Sequence, residues 1–330
     1  MVGSATFAVA VSLSGALFQP AAGQAAGTDG ALSSRSAEAA LPGLLAYVRG
    51  GDVYVSKGAT EKRLTTGGGH ARPRWSPDGQ RLAFLRKGRL WTMTADGGAQ
   101  TRLSTRPAAG PSWSPDGKWI AFASLSCTGG PGVYRIPATA GATGPEVLFP
   151  RDCRTEDLPE EAAAGATTGS LNDRLRYDDA VAWSPDGTRL AFRGGDCESI
   201  YDSCLSIGTV ATGEEKTVAA YGGGSLQNRG YAVVPSWRAD GRKLSWTAYQ
   251  EGETAAGNKP VHLVEYDVPT GTQRTVGSAM DRELAYADAG RAVITSRNRG
   301  GSWLTVLALT NGTRTLLRAG SQPSVQPTPH

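Results

Sequence analysis

Short runs in which apolar and polar residues alternate, bounded by Gly, Pro, Asn or Asp, recur along most of the chain. This is the period-two signature of half-buried strands. Three of the runs are near copies: Leu82-Ala83-Phe84, Ile120-Ala121-Phe122 and Leu190-Ala191-Phe192. Leu244-Ser245-Trp246 is a variant, Val293-Ile294-Thr295 a looser one, and Leu45-Ala46-Tyr47 a sixth. Ahead of the first three stands the same pentapeptide, Trp-Ser-Pro-Asp-Gly, at Trp75–Gly79, Trp113–Gly117 and Trp183–Gly187. A worn copy, Trp237-Arg238-Ala239-Asp240-Gly241, precedes the fourth, and Tyr286-Ala287-Asp288-Ala289-Gly290 the fifth. The aromatics that open these copies are 38, 70, 54 and 49 residues apart, so a constant unit is separated by inserts of unequal length.

Each motif position has a mechanical role. Pro presets φ in a type I turn, Gly accepts positive φ after it, and the Asp carboxylate can take backbone N–H groups inside the turn. An aromatic strand end, a tight turn and an apolar alternating block make a hairpin. Two more strand-like pieces follow, as in Leu90–Met93 and Thr101–Ser104 around Ala95-Asp96-Gly97-Gly98. The same order closes the chain: Trp303–Leu309, the turn Asn311-Gly312, then Thr313–Leu317. Four strands in roughly 40 residues, repeated, predict an all-β fold, a β-propeller of four-stranded antiparallel blades.

The repeated W-S-P-D-G-x-x-L/I-A-F with two further strands resembles the WD40-like repeat of the TolB-type propellers, over roughly Leu44 to Gly320. The resemblance implies six blades, an extracytoplasmic setting and work by contact with other molecules. The copy at Trp237 departs from the pattern by carrying Arg-Ala for Ser-Pro, and the copy at Tyr286 lacks the Trp.

Four segments are expected. Residues 1–25 read as a signal peptide, because Thr6–Phe18 is apolar or small and uncharged and Gly23-Gln24-Ala25 suits cleavage. Thirteen such residues are too few to span a bilayer, and no other run is long and apolar enough. Residues 26–40, rich in Gly, Ser and Ala, read as a flexible linker. The propeller spans 41–320. Its first unit offers only three strands, Leu44–Val48, Asp52–Val55 and Lys62–Thr66, so the 321–330 tail is a candidate for the missing inner strand: Pro323-Ser324-Val325-Gln326-Pro327 echoes the start of a blade.

Composition narrows the function. With 44 Gly and 19 Pro the chain is turn-rich, and 34 basic against 30 acidic residues leave a net charge of +4, too little for a polybasic nucleic-acid binder. The Pro-Asp-Gly turns share one face of the ring; the variable inserts fall on the other, where binding tends to live. The largest insert, 150–180, and its neighbours carry the candidate binding residues Asp157, Arg176, Tyr177, Asp178, Asp179, Tyr201, Arg229 and Tyr231. The four cysteines lie on the same side, and Cys127–Cys153 and Cys197–Cys204 are the favoured disulfides. No nucleophile elbow, P-loop or dinucleotide fingerprint occurs, and three histidines give little material for a triad or a metal site. No catalytic residue, metal or cofactor is assigned. The expected protein is an exported, monomeric binding or scaffold propeller whose partner is a protein or cell-envelope component. A carbohydrate-active enzyme or lectin-like module using Asp178 and Asp179 at the channel mouth is the alternative.

Overall fold

The computed structural model describes residues 26–127, 131–139, 141, 144–154, 180–195, 203–221, 230–252 and 254–328. Six four-stranded antiparallel sheets are arranged as blades. The inner strands of blades 2 to 6 are His70–Trp75, Ala109–Trp113, Ala182–Trp183, Gly230–Trp237 and Arg282–Tyr286. Blade 1 has as its inner strand Ser321–Val325 from the C-terminus, paired with Leu45–Arg49 (Leu45 opposite Val325, Ala46 opposite Ser324). The last strand of the fold therefore closes the ring on the first. Blade 1 is completed by Asp52–Lys57 and Thr60–Arg63, the latter beginning two residues earlier than its apolar pattern suggests.

The W…L-A-F spacing is explained by the packing between blades. Leu82 and Phe84 face blade 1 in one apolar cluster, whereas Ala83 faces blade 3 in the next, where Trp113 packs. Ile120 and Phe122 face back to blade 2 while Ala121 faces forward to Trp183. Leu190, Phe192 and Ala191 repeat the arrangement with Trp237. The large residues fill the space toward the preceding blade, and the alanine leaves room for the following blade's indole. The indole N–H groups rivet neighbours: Trp75 Nε1 donates to the Ser324 carbonyl at 3.2 Å, Trp113 Nε1 to Arg74 at 3.1 Å and Trp237 Nε1 to Ala182 at 3.1 Å.

The turns have the geometry their residues require. In the first copy the Ser76 hydroxyl donates to Asp78 at 2.5 Å and accepts from Arg81 N–H, while Asp78 takes the Gln80 N–H at 3.0 Å. The worn copy keeps the turn by other means: the Arg238 guanidinium grips Asp240 at 2.7 Å in place of the serine. In blade 6 the turn is one residue shorter. Tyr286 pairs with Ala292, so the equivalent block is Ala292-Val293-Ile294, one residue ahead of the run read from sequence. Ala292 and Ile294 face blade 5, and Val293 faces blade 1.

Residues 26–39, expected as linker, form an α-helix, Ala26–Ala39. Propensity does not explain it, since Gly and Ser are poor helix formers; tertiary contacts do. Buried Glu38 accepts hydrogen bonds from Ser56 of blade 1 and Arg318 of blade 6, and Ala37 and Leu41 pack on Leu45, Tyr47 and Leu304. The helix straddles the seam where the ring closes.

Candidate functional site

The six inner strands surround a central channel, and the repeat places two sets of side chains along it. One residue before each motif aromatic (Val325 in blade 1) stand Arg74, Ser112, Ala182, Ser236, Ala285 and Ser324. Three residues before it stand Arg72, Gly110, Ala180, Val234, Glu283 and Gln322. The second set tightens the channel. Arg72 Nη1 donates to Glu283 at 2.8 Å, Arg72 N–H to the Gln322 side-chain oxygen at 2.7 Å, and Gln322 N–H to Glu283 at 2.9 Å. On the opposite wall a Cβ on Gly110 would lie 2.3 Å from the Ala180 methyl, so the two strands touch there. Arg72, Val234, Glu283 and Gln322 all have φ between 51° and 58°. Left-handed geometry at a non-glycine residue is costly. Here it recurs at one repeat position, where the inner strand bulges, and it belongs to the blade design.

Cavities lie on either side of this constriction. On the insert-bearing side is one of about 270 Å³, bordered by Arg72, Tyr231, Thr247, Arg282, Glu283 and Gln322. Tyr231 stacks on Tyr249 with ring centroids 5.3 Å apart, and the Tyr249 hydroxyl donates to Glu251 at 2.6 Å. On the turn side is one of about 210 Å³, bordered by Arg74, Ser112, Trp183, Ser236, Trp237 and Ser324. A third cavity lies at the outer edge between blades 3 and 4. Its charges are committed: Arg135 pairs with Glu146 at 2.8 Å, and Arg154 donates to the carbonyls of Leu148 and Val210.

The buried carboxylates share one feature. Glu38, Asp52, Glu265, Asp281 and Glu283 are the buried acids among the described residues, and each is paired with an arginine: Arg318, Arg63, Arg274, Arg314 and Arg72 in turn. Burial raises the Glu283 pKa, but Arg72, the Thr295 hydroxyl and the Gln322 N–H outweigh it and leave the carboxyl below its ordinary value. Asp52 is likewise lowered against its own burial, by Arg63, the Gly68 N–H and Thr65. His70 Nδ1 lies 3.0 Å from Asp52 in this same network, at the junction of blades 1 and 2. Among the described residues no three His, Cys, Asp or Glu side chains gather as metal ligands would.

Of the sequence-derived binding residues, Tyr231 is placed at the insert-side cavity. Asp157, Arg176, Tyr177, Asp178, Asp179, Tyr201 and Arg229 lie outside the described residues, as does the 1–25 segment. The Cys127–Cys153 disulfide is present, and Cys153 is buried in a short 3-10 turn, Arg151–Arg154, after the outer strand of blade 3. Cys204 is disulfide-bonded as well, while Cys197 is outside the described residues. Sequence reading passed over Arg74, Arg72 and Glu283. The signal was available in the repeat itself: aligned on the motif aromatic, the position before it is Ser or Ala in five blades and Arg in one.

No protein-family model matches the chain, and no curated protein does. Solved structures do. TolB from Acinetobacter baumannii superposes with a TM-score of 0.63 at 17% identity, covering 87% of this chain and 67% of that one. The fold is that of a TolB-type propeller. A putative TolB from Agrobacterium tumefaciens gives 0.56 at 17% identity, over 80% and 87% of the two chains. An oligogalacturonate lyase from Vibrio parahaemolyticus gives 0.48 at 11% identity, over 81% and 71%, too distant to bear on activity. At such identities a TolB-type propeller is a shared architecture, and its function has to be argued from its own residues.

Proposed function

We propose that this TolB-type propeller is an exported, non-enzymatic binding protein that engages a protein or cell-envelope component at its insert-bearing face. The observation that carries the reading is the state of the buried acids. A general acid or base needs a carboxylate poised near the working pH, usually raised by burial. Each buried carboxylate among the described residues is instead tied to an arginine, and Glu283 and Asp52 are held low. What the insert-side mouth offers is recognition chemistry: the stacked Tyr231–Tyr249 pair beside a charged rim of Arg282 and Glu283. Tyrosine and arginine are the residue types that anchor protein interfaces. Export is supported by the disulfide and by the apolar segment Thr6–Phe18.

The test is affinity capture from envelope and culture-supernatant fractions, with wild type beside Tyr231→Ala and Asp178→Ala. A component retained by wild type and lost from the variants is expected. Undiminished capture by both variants would overturn this reading, and turnover of a carbohydrate that Asp178→Ala abolishes would replace it with the enzymatic one.

A further inference from the structure

The turn-side cavity carries chemistry that the scaffold does not use. Among the described residues no Asp or Glu borders it. Arg74 projects from the inner strand of blade 2, where the other five blades carry Ser or Ala, so the small residues leave room for one long side chain. Its guanidinium donates from Nη1 to the carbonyls of Pro73 at 2.9 Å and Pro323 at 3.3 Å, and it has no carboxylate partner among the described residues. The side chain keeps some exposure to the channel, yet protein surrounds it. Burial, and secondarily the Arg72 guanidinium, lowers its pKa to about 10 against the pull of Glu283. Arg72 and Glu283 compensate each other across the constriction, which leaves Arg74 as an unneutralised charge. Glu265, behind the Tyr286 ring, is already held by Arg274 at 2.5 Å.

The remaining polar groups are donors as well. Ser112 Oγ accepts the Trp183 N–H at 2.9 Å and Ser324 Oγ the Trp75 N–H at 3.4 Å, which leaves each hydroxyl proton to donate. The Ser245 hydroxyl donates to the Ser236 carbonyl, and the Ser236 hydroxyl has no hydrogen bond among the described residues. None of the three hydroxyls donates to an atom of the described residues. A buried cation costs free energy unless an anion accompanies it, and a guanidinium fork with hydroxyl donors beside it suits a planar two-oxygen acceptor.

We infer that the turn-side cavity, bordered also by Trp183 and Trp237, is a binding site for a single carboxylate, held by Arg74 and the hydroxyls of Ser112, Ser236 and Ser324. One guanidinium balances one negative charge, so a phosphate dianion would leave charge uncompensated. At about 210 Å³ the cavity falls below the usual range for drug-sized ligands and fits a small acid or a chain terminus. The site is on the opposite side of the constriction from Tyr231 and does not depend on a partner there.

Trp183 and Trp237 border the cavity, which makes tryptophan fluorescence the readout. The full chain is titrated with sodium acetate against sodium chloride at constant ionic strength, then with triglycine bearing a free or an amidated C-terminus, and with phosphate. A saturable change with acetate or free triglycine, absent with the amide, is expected. Tighter binding of acetate identifies a free acid as the source, and tighter binding of triglycine a chain terminus. Arg74→Gln should weaken binding at least tenfold. Ser236→Ala, which removes a hydroxyl the fold does not use, should weaken it several-fold without moving Tm. Absence of saturation, equal binding of phosphate or of the amide, or undiminished affinity in Ser236→Ala or a folded Arg74→Gln would overturn the assignment.

Discussion

Ending the chain at Gly320 removes the inner strand of blade 1 and reopens the ring. The cost can be assembled from the bonds that leave with Ser321–Val325 and Gln326. Beyond its pairing with Leu45–Arg49, this segment exchanges Gln326 N–H with the Leu44 carbonyl at 2.8 Å and takes the Leu44 N–H on the Gln326 side chain at 3.0 Å. Gln326 Nε2 also donates to the Gly79 carbonyl at 2.8 Å, reaching the turn of blade 2. The Ser324 carbonyl receives the Trp75 indole at 3.2 Å, and Gln322 links Arg72 to Glu283. At about 1 kcal/mol net per hydrogen bond, these six bonds come to roughly 6 kcal/mol, comparable with the whole 5–15 kcal/mol of a typical domain. With 2–4 °C per kcal/mol for large domains, Tm should fall by about 10 °C or more, if the truncated chain folds at all. Scanning calorimetry of the full and truncated chains measures this. A peptide spanning 321–328 should restore part of the loss, because an open sheet edge accepts an added strand. A Tm within 2 °C of the full chain would refute the idea that this strand secures the ring.

Three further outcomes follow from named contacts. Glu283→Gln strips the charge from a buried pair and should cost about 3–5 kcal/mol in denaturant titrations, because Arg72 keeps its charge in place; an unchanged midpoint would deny the pair its role. Burial raises the Glu61 pKa, but Arg49, the Tyr47 hydroxyl and Arg318 outweigh it and hold the carboxyl at about 2. Its folded pKa is thus below its unfolded one, so the stabilisation is complete above about pH 4.5 and is lost as pH falls toward 2; urea midpoints between pH 2 and 5 should fall more steeply in wild type than in Glu61→Gln. Replacing Cys127 and Cys153 by Ser opens a loop of 26-residue separation, and chain entropy puts the loss at about 3.5 kcal/mol, to be read as a lower Tm than that of the wild type without reducing agent.

How far the sequence reaches depends on where the determining contacts lie. Trp75, Pro77, Asp78, Gly79 and the Leu82-Ala83-Phe84 block interact within one hairpin or with the same block of the next blade, so their spacing alone declares a propeller. The blade 6 offset escapes that logic: Tyr286 differs from Trp, Ala292 is an inconspicuous start for a strand block, and only the pairing shows the turn to be shorter. The 26–39 helix escapes it entirely, since its reasons, Ser56 and Arg318, are 18 and 280 residues away from Glu38. Arg74 is a third case. A cation next to a motif tryptophan reads locally as an ordinary strand residue, and becomes exceptional only when the blades are stacked on their common axis. In a repeat protein the informative residue is therefore the one that breaks the pattern at a position where all copies converge. At the channel, convergence turns a single substitution among six into a charge without a carboxylate partner among the described residues, and the turn face, built from uniform scaffold, acquires a site of its own.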